Sequence, residues 1–154
     1  MLHIVLYEPE IPPNTGNIIR LAANLGWALH LIKPYGFSID DRRLRRAGLD
    51  YAEFADLREH DSFAAFRRQN ESTRILACST RGRRCYSEID YAAGDALLFG
   101  PETRGLPADL LAGLPPEQVL RLPMQPGSRS LNLSNAAAVI AYEAARQLGF
   151  PGLV

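Results

Sequence analysis

The first 33 residues carry a strand–helix–strand pattern, and no other feature of the chain restricts the fold as strongly. Residues 2–7 form a short apolar run that ends at prolines, which predicts a buried strand. Residues 14–26 follow as a helix that Asn14 or Thr15 can cap, with an apolar face made of Ile18, Leu21, Ala22 and Leu25. Residues 27–33 are then predicted as a second strand. A strand, a helix and a strand within about 30 residues form a βαβ unit, which implies a parallel sheet with a right-handed crossover.

The remainder of the chain continues this alternation of strands and helices. Compact apolar runs that end in small polar residues or glycine are typical of buried parallel strands. The elements predicted after residue 33 are strands at 54–57, 75–79, 96–99 and 119–122, helices at 40–48 and 62–69, and a final helix from 132–134 to 148. The final helix has an apolar face made of Ala136, Ala137, Ile140, Ala141, Ala144 and Leu148. With 154 residues, no repeat and no linker, we expect one α/β domain covering residues 1–154.

The composition is that of a globular protein with balanced charge. Apolar residues make up 47% and charged residues 22% of the chain, which argues against a disordered protein. The 17 basic and 17 acidic side chains cancel, and this balance argues against a uniformly basic nucleic-acid binder. It does not exclude a local basic face, because the net charge does not show how the charges are distributed over the surface.

The cysteines, the histidines and the N-terminus give no sign of secretion or of a metal site. Two cysteines, Cys78 and Cys85, cannot build a disulfide framework, and we interpret both as reduced thiols. His3, His30 and His60 are scattered along the sequence, and we interpret each as a structural or surface residue. The N-terminus has no signal segment, and no apolar run approaches the roughly 18 residues of a membrane span. We therefore expect a cytoplasmic protein without a metal ion.

Three polar segments follow predicted strands, at the edge where open α/β sheets bind ligands. They are residues 14–20 (Asn-Thr-Gly-Asn-Ile-Ile-Arg), residues 98–107 (Leu-Phe-Gly-Pro-Glu-Thr-Arg-Gly-Leu-Pro), and residues 122–136, which end in Leu-Asn-Leu-Ser-Asn-Ala. Taken singly, each segment also fits a structural role: a helix cap, a stiff surface turn, and redundant capping of the final helix. Arg20 can extend to solvent from its apolar helix or direct its planar donors at a phosphate. The patterns GxGxxG and GxxxxGK[ST] do not occur, so nothing supports a dinucleotide site or a P-loop.

In this order and at these spacings, the three segments resemble the signature motifs of the SPOUT methyltransferases, which use S-adenosylmethionine. The resemblance runs from residue 2 to the C-terminus. It implies an α/β fold in which helices flank a parallel sheet and the C-terminal third forms a deep trefoil knot. Pattern reasoning alone predicts an unknotted doubly wound sheet, because knotted chains are very rare. The resemblance also implies a homodimer whose active site is completed across the interface, with helix 14–26 and the final helix as candidate contact surfaces.

The resemblance also assigns roles to individual residues. The positions implied to contact S-adenosylmethionine are Cys78, Gly100, Leu122, Met124, Ser130 and Leu133. Arg20 matches the arginine implicated in activating the ribose hydroxyl, and the positions implied to orient it and the ribose are Asn14, Glu102, Ser130 and Asn132. A guanidinium is a poor base, so phosphate positioning or stabilisation of an alkoxide is the easier role for Arg20 to fill.

An RNA substrate requires cationic surface for its phosphates. The candidate contacts are two arginine clusters together with Arg104 and Tyr142: Arg42, Arg43, Arg45 and Arg46 in the first cluster, and Arg81, Arg83 and Arg84 in the second. Each cluster fits a solvated charged face equally well, and Tyr142 fits ordinary packing. The arginines therefore identify candidate surfaces without choosing between them.

In its minimal length, without an added RNA-binding domain, the chain resembles one group of SPOUT members. These members methylate the ribose 2′-hydroxyl of the wobble nucleotide, position 34, of tRNA. The expected partner is thus the anticodon stem-loop of tRNA. Two alternatives stay open on the sequence. One is 2′-O-methylation of ribosomal RNA or of another tRNA position, and the other is a non-enzymatic, flavodoxin-like module that binds a nucleotide or a protein partner.

Overall fold

The computed structural model describes residues 1–39, 53 and 56–154. The seven strands are β1 (His3–Tyr7), β2 (Ala28–Ile32), β3 (Leu57–His60), β4 (Ile75–Cys78), β5 (Arg84–Cys85), β6 (Ala96–Phe99) and β7 (Val119–Arg121). The helices are α1 (Pro12–Leu25), α2 (Phe63–Gln69), α3 (Ala108–Ala112) and α4 (Leu133–Gln147), with a 3₁₀ turn at Pro116–Gln118. The alternation of strands and helices predicted from the sequence is confirmed.

All strand pairings of the sheet are parallel, and the strand order is β3-β2-β1-β6-β4-β7-β5. Phe99, the last residue of β6, is in register with Leu6 of β1 and with Cys78 of β4. The carboxyl ends of these strands therefore meet at one edge of the sheet, where α/β proteins bind ligands. The first polar segment lies in α1, which follows β1, the second includes the loop after β6, and the third includes the loop after β7 and the start of α4.

Two hydrophobic cores cover the two faces of the sheet, which is why the central strands are apolar throughout. Ile4 and Leu6 of β1 pack with residues of α1 and α4, whereas Val5 packs on the other side with Phe66 of α2. Strands buried on both faces do not show the polar–apolar alternation of a half-exposed strand. The short continuous runs seen in the sequence are the direct result.

Helix α1 begins differently from the sequence prediction. It starts at Pro12 with Ile11 as the flanking residue, and no side chain within the helix caps it. Asn14 and Thr15 lie inside the first turn and are buried, so the prediction that one of them caps the helix is wrong. The reason is non-local: two backbone N–H groups just before Pro12 donate to the carboxylate of Glu102, on the loop after β6.

Other element boundaries are confirmed or shifted. The helix predicted at 62–69 is α2, and the hydroxyl of Ser62 accepts a hydrogen bond from the Ala65 N–H at 3.0 Å. The strand predicted at 54–57 begins only at Leu57 and continues to His60, and positions 54 and 55 lie outside the described residues. The helix predicted at 40–48 also lies outside them. The two-residue β5 and the five-residue α3 were not predicted, because such short elements carry no periodicity.

The three histidines form one hydrogen-bonded row across β1, β2 and β3. His3 Nδ1 lies 3.0 Å from His30 Nε2, and His30 Nδ1 lies 2.8 Å from His60 Nε2. Phe66 packs edge-on against His30 and His60, with ring centroids 5.1 and 5.3 Å away. The three side chains, which are far apart in the sequence, are thus neighbours in the fold. His30 and His60 are buried in the fold, as a structural role requires.

Within the described part of the chain, no helix combines the length and the apolar character that crossing a bilayer requires. The same residues contain no group of three or more histidine, cysteine or carboxylate side chains arranged to hold a metal ion.

Candidate functional site

A cavity of about 480 Å³ lies at the carboxyl ends of β4, β6 and β7. Its volume is in the range of sites that enclose a small molecule. Its walls come from the loops after β1, β4, β6 and β7 and from the first turns of α4. All six positions implied to contact S-adenosylmethionine line it, namely Cys78, Gly100, Leu122, Met124, Ser130 and Leu133.

The loop at residues 100–107 brings backbone to the cavity because it folds tightly on itself. A Cβ atom on Gly100 would lie 2.5 Å from the backbone nitrogen of Leu106, so only glycine fits there. Gly105 adopts the left-handed conformation at φ 67° and its N–H donates to the carbonyl of Pro101 at 2.9 Å. Leu106 is buried in the hydrophobic core that contains Val5 and Leu98, and this packing anchors the loop on the sheet.

A second tight approach holds the loop after β4 against β7. A Cβ on Gly82 would lie 2.5 Å from the carbonyl carbon of Leu120, and the Ser79 N–H donates to the carbonyl oxygen of that leucine at 2.9 Å. This contact places Ser79 and Thr80 in the wall of the cavity. The loop residues therefore face the cavity because their own backbone is held by the neighbouring strand.

A relay of hydrogen bonds joins the three polar segments. The Glu102 carboxylate accepts from the N–H groups of Glu10 and Ile11 at 2.8 and 3.1 Å. The Asn14 amide Nδ2 lies 3.4 Å from Glu102 Oε1, and the Asn132 amide Nδ2 donates to Asn14 Oδ1 at 2.9 Å. Asn132 Oδ1 in turn accepts from the N–H and the hydroxyl of Ser134, at 2.9 and 2.6 Å.

This relay fixes which way both asparagine amides face. Because the Glu102 carboxylate can only accept, Asn14 must present its NH₂ group to Glu102 and its oxygen to Asn132. Asn132 must then turn its oxygen to Ser134, where it caps α4. Glu102 thus sets the orientation of polar groups at the starts of two helices, α1 and α4.

A ladder of side-chain contacts, which we call the rim ladder, stitches residues 8–11 to residues 102–104. The Glu10 carboxylate accepts from the Thr103 N–H at 3.1 Å and from its hydroxyl at 2.8 Å. The Thr103 contacts hold the pKa of Glu10 below its usual value. The outermost rung is an ion pair in which Arg104 Nη2 lies 3.2 Å from Glu8 Oε2. Together with the contacts of Glu102, the ladder keeps the first and second polar segments together.

The surface of the cavity is mostly apolar. Phe99, Leu122, Leu133 and Ile140 contribute side chains to it, and among the described lining residues only Glu102 and Arg104 carry charge. Burial raises the pKa of the Cys78 thiol, so this side chain is a neutral thiol and not a nucleophile at neutral pH. The cavity suits a ligand with apolar ring surface and polar edges that backbone groups can satisfy.

Arg20 is the predicted site residue that the structure does not bring to the cavity. It lies on α1 and pairs with Glu53, with 3.0 Å from Nε to Oε1, and it is not among the lining residues. Helical geometry gives the reason: Arg20 is about 9 Å along the axis from Asn14 and roughly 240° around it. Within one chain, these two residues therefore face different surroundings.

The candidate RNA contacts are spread over several surfaces. Arg104 lines the cavity at its rim. Arg81, Arg83 and Arg84 lie on the loop and strand after β4, outside the cavity lining, and Arg84 Nη2 donates to the carbonyl of Glu88 at 2.6 Å. Tyr142 is exposed on α4. The first cluster, Arg42, Arg43, Arg45 and Arg46, lies outside the described residues.

Sequence reasoning missed several residues that line the cavity. They include Ile11, Thr80, Thr103, Leu131 and Ile140. Thr103 and Leu131 lie inside the polar segments, so their position in the motif is a signal that could have found them. Ile140 lies about one helical turn beyond the third segment, so its place in the cavity wall follows only from the direction of α4.

Comparison with known proteins identifies the family. A model of the SpoU rRNA Methylase family matches residues 1–142. A protein of Aeromonas hydrophila named tRNA (cytidine(34)-2′-O)-methyltransferase is 60% identical over 152 residues, which cover 99% of this chain and 97% of that protein.

Solved structures agree with this match. A structure described as giving insights into the 2-OH methylation of C/U34 on tRNA is 54% identical, with a TM-score of 0.90 and 97% of both chains covered. The SpoU methyltransferase AviRb from Streptomyces viridochromogenes, solved in complex with the cofactor AdoMet, is 26% identical. Its TM-score is 0.83, with 96% of this chain and 58% of that chain covered. The fold expected from the SPOUT resemblance, a parallel sheet flanked by helices, is confirmed, and the chain belongs to the SpoU rRNA methylase family.

Proposed function

We propose that this protein transfers a methyl group from S-adenosylmethionine to the ribose 2′-hydroxyl of the nucleotide at position 34 of tRNA. The observation that carries the proposal is similarity over essentially the whole chain, at 60% identity, to a protein named for this reaction. The cavity adds independent support, because it unites the three polar segments at one edge of the sheet. We also propose that residues 1–154 form one catalytic domain, that it works as a cytoplasmic homodimer, and that its C-terminal third is knotted.

The residues of the cavity fit S-adenosylmethionine. Its apolar side chains, among them Leu122, Met124 and Leu133, offer a surface for a purine ring, and the exposed backbone near Gly100 offers polar groups for its edges. The cofactor supplies a methyl group already activated by a sulfonium. Methyl transfer to an oxygen is then an in-line displacement, so the chain's task is to align the acceptor oxygen and to accommodate its proton.

The hydrogen-bond relay is the proposed positioning device for the ribose. Asn14 and Asn132 line the cavity in fixed orientations, and Ser130 lies beside them in its wall. A ribose hydroxyl that binds against this wall meets amide groups whose hydrogen-bond donors and acceptors already point in fixed directions. Such preorganisation avoids a rearrangement cost during the reaction. Glu102 is proposed as a positioning residue, because its carboxylate joins the loop after β6 to the residues just before α1.

Arg20 is proposed to act in the cavity of the partner subunit. It lies on the exposed side of α1 and outside the cavity of its own chain, so a homodimer offers the route by which it reaches a site. A guanidinium is a poor base, so stabilising the developing alkoxide or binding a phosphate suits Arg20 better than accepting a proton.

The test is direct detection of the product. The protein is incubated with methyl-labelled S-adenosylmethionine and, in separate reactions, with tRNA or ribosomal RNA from cells that lack the gene. Mass spectrometry of nuclease digests is expected to show labelled 2′-O-methylcytidine or 2′-O-methyluridine in the fragment that contains position 34. Label confined to ribosomal RNA would establish the alternative substrate, and binding of a nucleotide without any transfer would contradict the enzymatic proposal.

The first prediction concerns Arg20. We expect Arg20→Ala to lower methyl transfer by about 10²-fold or more while S-adenosylmethionine affinity changes little, since loss of one charge-stabilising donor costs about that much. Turnover and cofactor affinity are measured separately, by label transfer and by calorimetry. Arg68→Ala, an exposed arginine on α2, is the matched control. Near-normal turnover of Arg20→Ala would rule out the assigned role.

A further inference from the structure

The outer rung of the rim ladder differs from its inner rungs. Glu102 accepts two backbone N–H groups and faces the Asn14 amide, and Glu10 accepts both donors of Thr103, so the inner carboxylates are satisfied inside the protein. Glu8 and Arg104 contact each other instead through a single ion pair, Nη2 to Oε2 at 3.2 Å. This rung joins two charged side chains at the rim of the cavity and contributes no backbone hydrogen bond.

Arg104 is held where an incoming polyanion can reach it. Its side chain is 61% exposed, whereas that of Glu8 is 19% exposed. Its guanidinium carries five N–H donors, and the ion pair uses Nη2. Exposed ion pairs contribute little net stability, because water and salt compete with them. Exchanging the Glu8 carboxylate for a phosphate oxygen is therefore energetically inexpensive.

Glu8 is aimed at Arg104 by an uncommon backbone conformation. Its φ is 45°, in the left-handed region that non-glycine residues rarely adopt, and it lies directly after β1. Its N–H donates to the carbonyl of Ile32 at 3.0 Å, which ties the turn to β2. The carboxylate is thus presented by a fixed turn. Among the described residues that line the cavity, Arg104 is the one cation, so Glu8 neutralises the charge most useful for RNA.

Resting on the proposed function, we propose that Arg104 binds a backbone phosphate of the RNA beside the reacting nucleotide, and that Glu8 is its internal competitor in the free protein. Binding of RNA exchanges the carboxylate for the phosphate. Glu8 then makes the rim selective, because only a ligand that offers a stronger or bidentate anion displaces it. A free nucleoside, which carries no phosphate, does not.

Arg104→Gln tests the phosphate contact. Binding of a fluorescent anticodon stem-loop RNA is measured by anisotropy over a series of salt concentrations, with S-adenosylhomocysteine present. We expect affinity to fall about fivefold and the slope of log K against log salt to lose about one, as for one phosphate contact. Arg104→Lys is expected to recover the salt slope but only part of the affinity. The control, Arg68→Gln on α2, removes the same charge away from the cavity.

Glu8→Gln tests the competition. We expect RNA to bind about threefold more tightly, which is the scale of releasing one exposed ion pair. The control is Glu117→Gln, which removes an exposed carboxylate from the 3₁₀ turn before β7, outside the cavity lining. Affinity of Glu8→Gln equal to that of Glu117→Gln, or weaker than that of the unaltered protein, would overturn the competition. Arg104→Gln that behaves like Arg68→Gln would overturn the phosphate contact.

The proposed function and this inference fail in different ways. Absence of methyl transfer to tRNA by the unaltered protein contradicts the proposed function, whatever the rim variants do. In that case the exchange is measured as binding of a single-stranded polyuridine probe. Glu8→Gln is expected to bind it most tightly, the unaltered protein less tightly, and Arg104→Gln most weakly. An RNA affinity of Glu8→Gln equal to that of the unaltered protein, together with lost methyl transfer, would make Glu8 a residue that shapes the cavity, and would contradict its role as a competitor.

Discussion

His30 lies buried between two other imidazoles, and this position resists protonation. Burial lowers the pKa of His30 to about 3, with further lowering by His3, His60 and Arg58 and an opposing contribution from Asp56. His60 Nδ1 is buried without a hydrogen-bond partner. The row is satisfied best when each neutral ring donates toward His3, because the unpartnered atom is then an acceptor and not an N–H group. A proton added at His30 Nδ1 breaks this order, because two N–H groups then face each other unless His60 changes tautomer.

The lowered pKa of His30 makes the stability of the fold depend on pH. Unfolded His30 takes up a proton below about pH 6.5, while folded His30 does so only near pH 3, so between these values the unfolded state binds more protons. Stability is therefore complete above pH 6.5 and falls as the solution becomes more acidic. We expect the free energy of unfolding to drop by about 1–2 kcal/mol between pH 6.5 and 5. Urea titrations at a fixed protein concentration measure it.

The matched variant for this prediction is His30→Gln, which can donate and accept hydrogen bonds but does not titrate. Its unfolding free energy is expected to change less than that of the unaltered protein between pH 6.5 and 5. Most carboxylates remain ionised in this window, so their contribution is small. Equal pH dependence of the two proteins would contradict the assignment to His30.

At the scale of elements, the loop after β6 depends on the absence of a side chain at Gly100. A Cβ there would lie 2.5 Å from Leu106 N and 2.7 Å from the Gly105 carbonyl carbon, and backbone atoms cannot move aside as a flexible side chain can. We expect Gly100→Ala to destabilise the protein by about 1–3 kcal/mol and to weaken S-adenosylmethionine binding. Thermal unfolding and calorimetry measure the two effects. Gly36→Ala, which meets no atom within 4 Å, should change neither.

Comparing Gly100→Ala with Gly36→Ala shows whether the close approach at Gly100 is required or whether any loop glycine is equally sensitive. Gly100→Ala with unaltered stability and cofactor affinity would show that the loop relaxes and that the close approach is not required. A loss in both variants would point to a general effect of replacing loop glycines.

How much of the molecule could be predicted from the sequence depended on the range of the interactions. The cores of β1, β4 and β6 were predictable, because strands buried on both faces are apolar throughout. The start of α1 was not, because its nearby N–H groups donate to Glu102, some 90 residues away in the chain. The histidine row depends on the register of three strands, which no local pattern contains.

The candidate site was predictable because its parts are contiguous motifs. The six proposed cofactor contacts all line the cavity, as did Asn14, Glu102 and Asn132 among the polar positions. Arg20 was the exception, although the spacing from Asn14 to Arg20 already places them on different sides of a helix. A motif match reports that residues act in one site and not that they act within one subunit.

At the scale of the whole molecule, the exposed side of α4 is a candidate contact surface for the proposed homodimer. Val139 and Tyr142 lie on the exposed side of this helix, 41% and 46% exposed, and α4 packs against α1, which carries Arg20. An interface over these helices would cover apolar side chains and carry Arg20 toward the partner subunit. In a two-fold dimer the same contact occurs twice, so each subunit would complete the other's site.

Complementation between two inactive variants tests this arrangement. Arg20→Ala and Asn132→Ala subunits are co-expressed with different tags, and the heterodimer is isolated through both tags. If Arg20 acts across the interface, one of the two sites contains both an intact Arg20 and an intact Asn132, and about half of the normal activity is expected. Each homodimer alone is expected to be inactive, as measured by methyl transfer to tRNA.

The reciprocal heterodimer pairs an unaltered subunit with one that carries both substitutions, and it inverts the expectation. Action across the interface leaves neither site complete: the unaltered cavity receives no Arg20, and the other cavity lacks Asn132. Action within one subunit instead leaves the unaltered subunit fully competent and gives about half of the normal activity. The two heterodimers contain the same two substitutions in total, so their stability and composition are matched. An active reciprocal heterodimer with an inactive first one would place Arg20 in the cavity of its own chain and would require α1 to move in the complex with RNA.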